Sequence, residues 1–423
     1  MKTVFWGLAW CCCVLLLAPG LCLGQETGPI RLGVPTTLSI FQGDEMLKAV
    51  QMAVDEINTA GGVSVGGTKR QLEVVSSDLR DALPGVPVQE ALMGLEKMIL
   101  DDKVNALVVG PIRSEALIPA MDILAKHKMP MVGTVAMTPA TEEKIKAEPE
   151  KYKYVFRAGL NARYLVGYLL GAMKHLEKEF GFNKMFIMIQ DVMWARGTAE
   201  AVSGALAKSG WETLGTEAYP TGASDFSPGL LKAKAAGAQV ILTLFDMPTS
   251  GILVKSWAGM KVPALLLGNI SPMTGPEAWN TYDQKIAGSI MTIMEGGNIP
   301  IPKIPASVAF YQAYEKRYGK PVQAPHGPSA SYEAVYIVVE AIERAGTLDG
   351  EALAEAIKKT DRVGVMGRVR FDDGNQVVFG NDPAEGALGC MFQWREDGQR
   401  VVIYPELVAE DKIVLPDWIK AAK

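Results

Sequence analysis

Cysteine and histidine are both scarce in this chain. Of five cysteines among 423 residues, Cys11, Cys12, Cys13 and Cys22 fall in the opening apolar segment, and only Cys390 lies beyond it. One remaining thiol excludes an internal disulfide, so burial of apolar surface must hold the fold. The three histidines, His127, His175 and His326, are far apart, and none stands near another metal-type ligand. They read as surface or helix-end histidines, and no metal centre or cofactor is expected. The G-x-S-x-G, P-loop and H-E-x-x-H patterns are missing, which removes the common signatures of nucleophilic, phosphate and zinc chemistry. With no paired acid and base legible, the chain does not read as an enzyme.

An excess of positive charge is lacking too. The 42 Lys and Arg are interspersed with 47 Asp and Glu, for a formal net charge of −5. No cluster of four or more basic residues occurs, so nucleic acid and anionic membrane surfaces are excluded as partners. Past the opening segment, no apolar run approaches the ~20 residues of a membrane-spanning helix. The glycine-rich stretch 61–67 follows a helical pattern instead of preceding one. It therefore reads as a helix stop and a turn, because a phosphate cradle needs a helix N-terminus after it.

What is present begins with a secretory signal. Lys2 gives a positive start, residues 4–18 are almost wholly apolar, and Pro19-Gly20 breaks the run. Cys22-Leu23-Gly24 then offers small residues at the first and third positions before Gln25. This predicts a cleaved signal over residues 1–24 and a product secreted to an oxidising compartment. The apolar run, about 15 residues, is short for a membrane anchor. A lipid anchor at Cys22 fits poorly, because the preceding Leu21 is not small. Cleavage removes Lys2 and no acid, moving the net charge from −5 to −6. The remaining length suits two ordinary domains, each burying its own core.

Short apolar strands alternate with amphipathic helices along this length. Strands are predicted near 30–34, 72–76, 104–109 and 129–133, with helices after each. The first helix carries Met46, Leu47, Val50, Ala53, Val54 and Ile57 at spacings of three and four. A second series starts near 154–157 and places strands at 185–190, 212–219, 239–245 and 264–268. The pattern implies β-α-β crossovers and two parallel sheets in succession, each covered on both faces. The proline-rich run 299–305 cannot be helix and reads as a surface connection. Helices over 306–318 and 331–344 follow. Then come two hairpins turning at Asp373-Gly374 and Asp397-Gly398.

In open parallel sheets, ligands sit outside the carboxyl ends of the strands, where helix N-termini present unpaired N–H groups. The loop at 110–114 and the loop at 133–139 stand in such places. Backbone N–H groups there, with the Ser114 hydroxyl and Arg113, could hold a carboxylate or an amide oxygen. Ser114 and Thr138 read equally well as ordinary helix caps.

Over essentially all of its length after the signal, the chain resembles the type I periplasmic solute-binding proteins of the leucine/isoleucine/valine-binding kind. The stretch Ala49-Val50-Gln51-Met52-Ala53-Val54-Asp55-Glu56-Ile57-Asn58-Thr59-Ala60-Gly61-Gly62-Val63 is similar to the first helix of that family. Ser77-Asp78, Asp101-Asp102-Lys103-Val104 and Val109-Gly110-Pro111 resemble its next stations. Asp191-Val192-Met193-Trp194-Ala195-Arg196-Gly197 looks like D-x-x-W-G-x-G with Ala195 replacing a glycine, and Ser331-Tyr332-Glu333-Ala334-Val335 matches a late helix. No one of these is specific alone; their order and spacing together are.

The resemblance implies an α/β protein of two Rossmann-like lobes, three hinge crossings and a ligand cleft between the lobes. Lobe 1 is expected over 25–157 plus 292–375, and lobe 2 over 158–291 plus 376–423. The crossings fall near 157–159, 291–294 and 372–382. The resemblance assigns Ser114, Ala136 and Met137 to the ligand's carboxylate or equivalent group. It makes Trp194 an aromatic wall from lobe 2, and Phe41 and Gln42 cover from lobe 1. Trp194 could instead be a core or surface aromatic. The acidic side chain that holds an ammonium group in this family falls here on Asn269 or Ile270, so the usual anchor is missing. Asp246, on a neighbouring loop, could replace it. A cleft-facing, unpaired Asp246 predicts a ligand with a donor or positive group, and a solvent-facing one an amide or an acid. The function implied is substrate binding for an ABC-type uptake transporter. The partners implied are a small amino acid, amide or carboxylic acid and a membrane permease, with the chain a monomer. A sensory receptor using the same cleft is the other reading.

Overall fold

The computed structural model describes residues 28–422, together with Met1 and Thr3. The signal predicted over 1–24 therefore lies, but for those two residues, outside the described residues. Two separate parallel sheets form, and each is built by the same local rule. In the first, the strands run in the order Leu72–Asp78, Ile30–Thr36, Ala106–Val109, Met131–Gly133, Val155–Arg157, all parallel. In the second, the parallel part runs Glu212–Tyr219, Lys184–Gln190, Val240–Phe245, Leu265–Ile270, Ile290–Ile293. An antiparallel pair, Cys390–Trp394 and Arg400–Tyr404, extends the far edge. All six residues of Val240–Phe245 and all six of Leu265–Ile270 are buried, as strands covered on both faces must be.

The covering helices start and stop where local chemistry directs. Asn161 caps Ala162–Phe180 by accepting the Tyr164 N–H at 3.0 Å, and the helix ends at Gly181 in the left-handed conformation (φ 74°). Helix Ser114–Lys126 follows strand Ala106–Val109, where a helix was predicted. Helix Gly350–Lys358 was not anticipated, although Asp349 caps it by accepting the Glu351 and Ala352 N–H groups at 3.1 and 3.0 Å. The stretch 61–67 forms a small hairpin, Val63–Val65 with Thr68–Arg70.

Two local expectations hold only in part. The run at 299–305 keeps Pro302, Lys303 and Pro305 exposed, as a surface connection would, but buries Ile299, Ile301 and Ile304. Ser307 Oγ holds the turn by donating to the Ile299 carbonyl at 3.0 Å and accepting the Ile301 N–H at 3.1 Å. Proline stopped a helix there, but the isoleucines between the prolines decided which way the turn faces. The hairpin expected around Asp373-Gly374 is reduced to one bridge, Phe371 to Val377. Phe379–Gly380 pairs instead, in parallel, with Ala387–Leu388, in a four-stranded sheet with Asp361–Gly364 and Gly367–Arg370.

The chain passes between the two large sheets three times: after Arg157, after Ile293 and before Cys390. These passages are bound together. Arg157 bridges to Gln376 through its backbone, and its Nε donates to Gln376 Oε1 at 3.1 Å. Its Nη1 reaches the carbonyls of Ala136 and Thr138 at 2.8 and 2.9 Å, while Nη2 pairs with Glu142. Cys390 lies opposite Ile293 where two of the passages meet, wholly buried, and burial pushes its thiol up to about 12. No helix among the described residues is long and apolar enough to cross a membrane.

Candidate functional site

Each sheet, counted in chain order within its lobe, reads 2-1-3-4-5, so its strand order reverses between the first and third strands. That reversal opens a crevice at the carboxyl ends of those strands. In the first sheet the residues leaving the crevice are Thr37 to Gln42 and Gly110 to Ser114. In the second they are Asp191 to Trp194 and Asp246. The two crevices face each other.

Arg113 and Asp246 meet across the gap. Arg113 Nη1 donates to Asp246 Oδ2 at 2.5 Å and Nη2 to Oδ1 at 3.1 Å, a bidentate pair with side chains only 10% and 15% exposed. Burial works against the Arg113 cation, but the Asp246 charge and hydrogen bonds outweigh it and raise its pKa. Trp194 Nε1 adds a third donor to Asp246 at 3.0 Å. Beside them, Glu115 Oε1 accepts the Met193 N–H at 2.9 Å, placing a carboxylate on the N-terminus of helix Met193–Ala207. Asp246 therefore faces the cleft, but it is not unpaired. Its positive partner is a residue of the protein itself.

The pair partitions the cleft. Inside lies a chamber of about 20 Å³, room for about one water. Gln42, Ile112, Val135, Met137 and His326 line it from the first lobe, and Trp194, Asp246, Asn269, Ser271 and Met294 from the second lobe and the crossing. Outside lies a vestibule of about 160 Å³, walled by Arg113, Pro84, Gly222 and Met247 among others, and sharing Gln42, Ile112 and Asp246 with the chamber. A ligand larger than a water must part the lobes to enter the chamber.

A second charged pair forms the floor. Glu295 is fully buried just after the crossing at Ile293. Four donors fill its two oxygens: the Leu160 N–H at 2.9 Å, His326 Nδ1 at 2.7 Å, Asn298 Nδ2 at 3.0 Å and the Gly327 N–H at 3.1 Å. His326 Nε2 lies 2.7 Å from the Val135 carbonyl. With acceptors at both ring nitrogens, the imidazole donates from both and is cationic. Burial opposes that cation, but the Glu295 charge and the two hydrogen bonds prevail and raise the pKa. Of the two places expected for it, surface or helix end, His326 takes the second, just before helix Pro328–Ala345, but as a buried wall residue of the chamber. Behind it, Glu45 accepts the Gln323 N–H at 3.0 Å and the Ala324 N–H at 2.8 Å. Burial pushes this carboxyl up to about 7 against the pull of those N–H groups and of Lys48 and Lys320.

Of the residues singled out in the sequence, Gln42, Met137, Trp194, Asp246 and Asn269 line the chamber, and Arg113 closes it. Three others stand elsewhere. Ala136 turns its side chain into the core with Leu117 and Met121, because alternate residues of an extended segment face opposite ways and Val135 and Met137 take the cleft side. Ser114 Oγ accepts the Thr138 N–H at 3.2 Å, tying two loops together, and does not line the chamber. Phe41 is half-buried at the start of its helix, and the neighbouring Gln42 takes the lining place, donating to the His326 carbonyl at 3.1 Å. Ile112, Val135, Ser271, Met294 and His326 were missed. All but His326 carried one signal, their places just after strands.

Three comparisons bear on this site. A family model described as periplasmic binding protein matches residues 29–382. A curated relative, Leu/Ile/Val-binding protein homolog 3 of Brucella melitensis, is 26% identical over 74% of this chain and 78% of its own length. Among solved structures, a putative branched-chain amino acid ABC transporter from Silicibacter pomeroyi superposes with a TM-score of 0.77 at 21% identity, covering 92% of this chain and 100% of that one. A solute-binding protein of an ABC transporter from R. palustris, in complex with benzoate, superposes at 0.72 with 13% identity, covering 94% and 100%.

Proposed function

Because the chain belongs to the periplasmic binding protein family, we propose that it is the extracytoplasmic substrate-binding protein of an ABC-type uptake transporter. It takes a small amino acid, amide or carboxylic acid between two lobes that close by hinge rotation. The observation that carries this reading is the Arg113–Asp246 pair, which joins the two crevices over a chamber walled from both sides. Each lobe supplies half of the chamber, so neither alone makes a site. Trp194, Met137, Ile112 and Met294 supply apolar wall, and Asn269, Ser271 and Gln42 supply the polar points that orient a ligand.

On this reading lobe 1 comprises 25–157 plus 292–375, and lobe 2 comprises 158–291 plus 376–423. The four-stranded sheet then straddles the third boundary. The chain works as a periplasmic monomer after loss of residues 1–24, and its closed form is what a membrane permease recognises. It performs no chemistry on what it binds.

Native mass spectrometry for retained ligand, followed by a thermal-shift screen of amino acids, amides and aromatic acids, tests this. A true ligand at 100 times its Kd stabilises the protein by ~2.7 kcal/mol. The shift is expected to vanish in Trp194→Ala. No shift with any class, or one that survives Trp194→Ala unchanged, would overturn the reading.

A further inference from the structure

We infer that the ligand meets Asn269 with a neutral hydrogen-bond donor, a hydroxyl or an amide N–H, and carries no ammonium group into the chamber. The inference rests on the cleft being the ligand site, as proposed above. Asn269, 2% exposed, stands near the end of strand Leu265–Ile270. Its Nδ2 donates to the Phe245 carbonyl at 3.0 Å and approaches Ser271 Oγ at 3.4 Å. A carbonyl only accepts, so this contact fixes which end of the amide is which. Oδ1 is then left turned away from Phe245. It is buried and has no hydrogen-bond partner among the described residues, on a side chain that lines the chamber. The strand cannot shift to relieve it. Gly268, just before it, has φ 144°, and a Cβ there would stand 2.0 Å from the Thr243 carbonyl oxygen, so the two backbones are in direct contact. A buried acceptor without a donor is costly, and a ligand donor removes that cost.

The kind of donor follows from the charges on the wall. Asp246 is neutralised by Arg113 and His326 by Glu295. An ammonium entering here would leave water for a chamber whose fully buried acceptor without a partner, among the described residues, is an uncharged amide oxygen. Its desolvation would go uncompensated. A hydroxyl or amide N–H loses far less on leaving water, and a single bond to Oδ1 satisfies it. The geometry therefore points to a ligand that presents a hydroxyl or an amide N–H to Asn269 on an apolar body.

Titration calorimetry on the purified protein with two matched series tests this: 2-hydroxy-4-methylpentanoate, leucine and 4-methylpentanoate, then 3-phenyllactate, phenylalanine and 3-phenylpropanoate. The hydroxy acid of at least one series is expected to bind tenfold or more tighter than both of its companions, in keeping with how sites built to bond a hydroxyl reject analogues lacking it. Asn269→Asp, which keeps the shape and adds a charge, is expected to turn the preference toward the amino acid by at least tenfold. Asn269→Leu is expected to erase the advantage of the hydroxyl, with circular dichroism confirming the fold of both variants. An amino acid that binds wild type more tightly than its hydroxy counterpart, with binding lost in Trp194→Ala, leaves the cleft reading standing and overturns this one. So does a hydroxyl preference that survives Asn269→Leu. If none of the six compounds binds wild type, and neither 4-methylpentanamide nor 3-phenylpropanamide does, this reading falls, while the cleft reading stands or falls on the wider thermal-shift screen.

Discussion

The mouth and the floor of the cleft each hold a charged pair, and the two are built differently. At the mouth, Asp246 has three hydrogen bonds, two of them from Arg113 of the opposite lobe, and both side chains keep some contact with solvent. At the floor, Glu295 has four, from the two neighbouring crossings and the loop before helix Pro328–Ala345, and no solvent reaches it. Breaking a fully buried pair strands an uncompensated charge, whereas a partly hydrated one can exchange its partner for water. The mouth is therefore the contact that can open as the lobes part. On the proposed function, the floor is the fixed element about which they would turn.

The largest test of that contrast is Glu295→Ala. It removes the anion that keeps the buried His326 protonated and strands three further donors, with an expected loss of ~3–5 kcal/mol in urea unfolding at pH 7. A loss below 1 kcal/mol would remove the floor from its role. Next comes the pH dependence of Glu45, which supports the same loop. Its folded pKa, about 7, lies above the ordinary carboxyl value of 4.5. Its contribution is thus fully present below about pH 4.5 and is lost as pH rises through about 7, a decline of roughly 3 kcal/mol. Glu45→Gln should flatten that slope in unfolding measured from pH 4.5 to 8; an unchanged slope would assign it to another group.

Smaller effects are expected at the mouth. Arg113→Ala should leave overall stability within ~1 kcal/mol of wild type, apart from its effect on closure. The closed state itself should weaken by about 1–3 kcal/mol, seen as a larger radius of gyration in solution scattering without ligand. If Arg113→Ala lowers Tm as much as Glu295→Ala and leaves the scattering unchanged, mouth and floor do not differ in kind. The smallest change is Trp194→Phe. It keeps the ring but removes the donor to Asp246, for about 1 kcal/mol in closure by the same measurement. An effect equal to that of Arg113→Ala would make the indole, not the guanidinium, the main tie.

The contrast also marks what the sequence could tell. Alternating strands and helices revealed two α/β units, and the loops after strands pointed to Arg113. The resemblance supplied Met137, Trp194 and the question at Asn269. The floor was invisible because its members converge from far along the chain: Glu295 meets Leu160 across 135 positions, and His326 meets Val135 across 191. No local pattern announces such a meeting. Ala136 shows a smaller effect: the resemblance chose a residue whose side chain faces the core, while the alternation of an extended segment turns its neighbours Val135 and Met137 to the cleft. At 299–305 the prolines were legible as helix breakers, but the direction of the turn depended on a core not yet in view.

Cys390, wholly buried where the crossings gather and held as a thiol far from its ionised form, has a consequence for measurement. A reagent that needs the thiolate cannot reach it while the sheets hold. Labelling at Cys390 then counts the moments when this seam comes apart, with no engineered probe. If the lobes swing as rigid bodies, ligand should change domain motion while leaving that clock set by the seam's own stability.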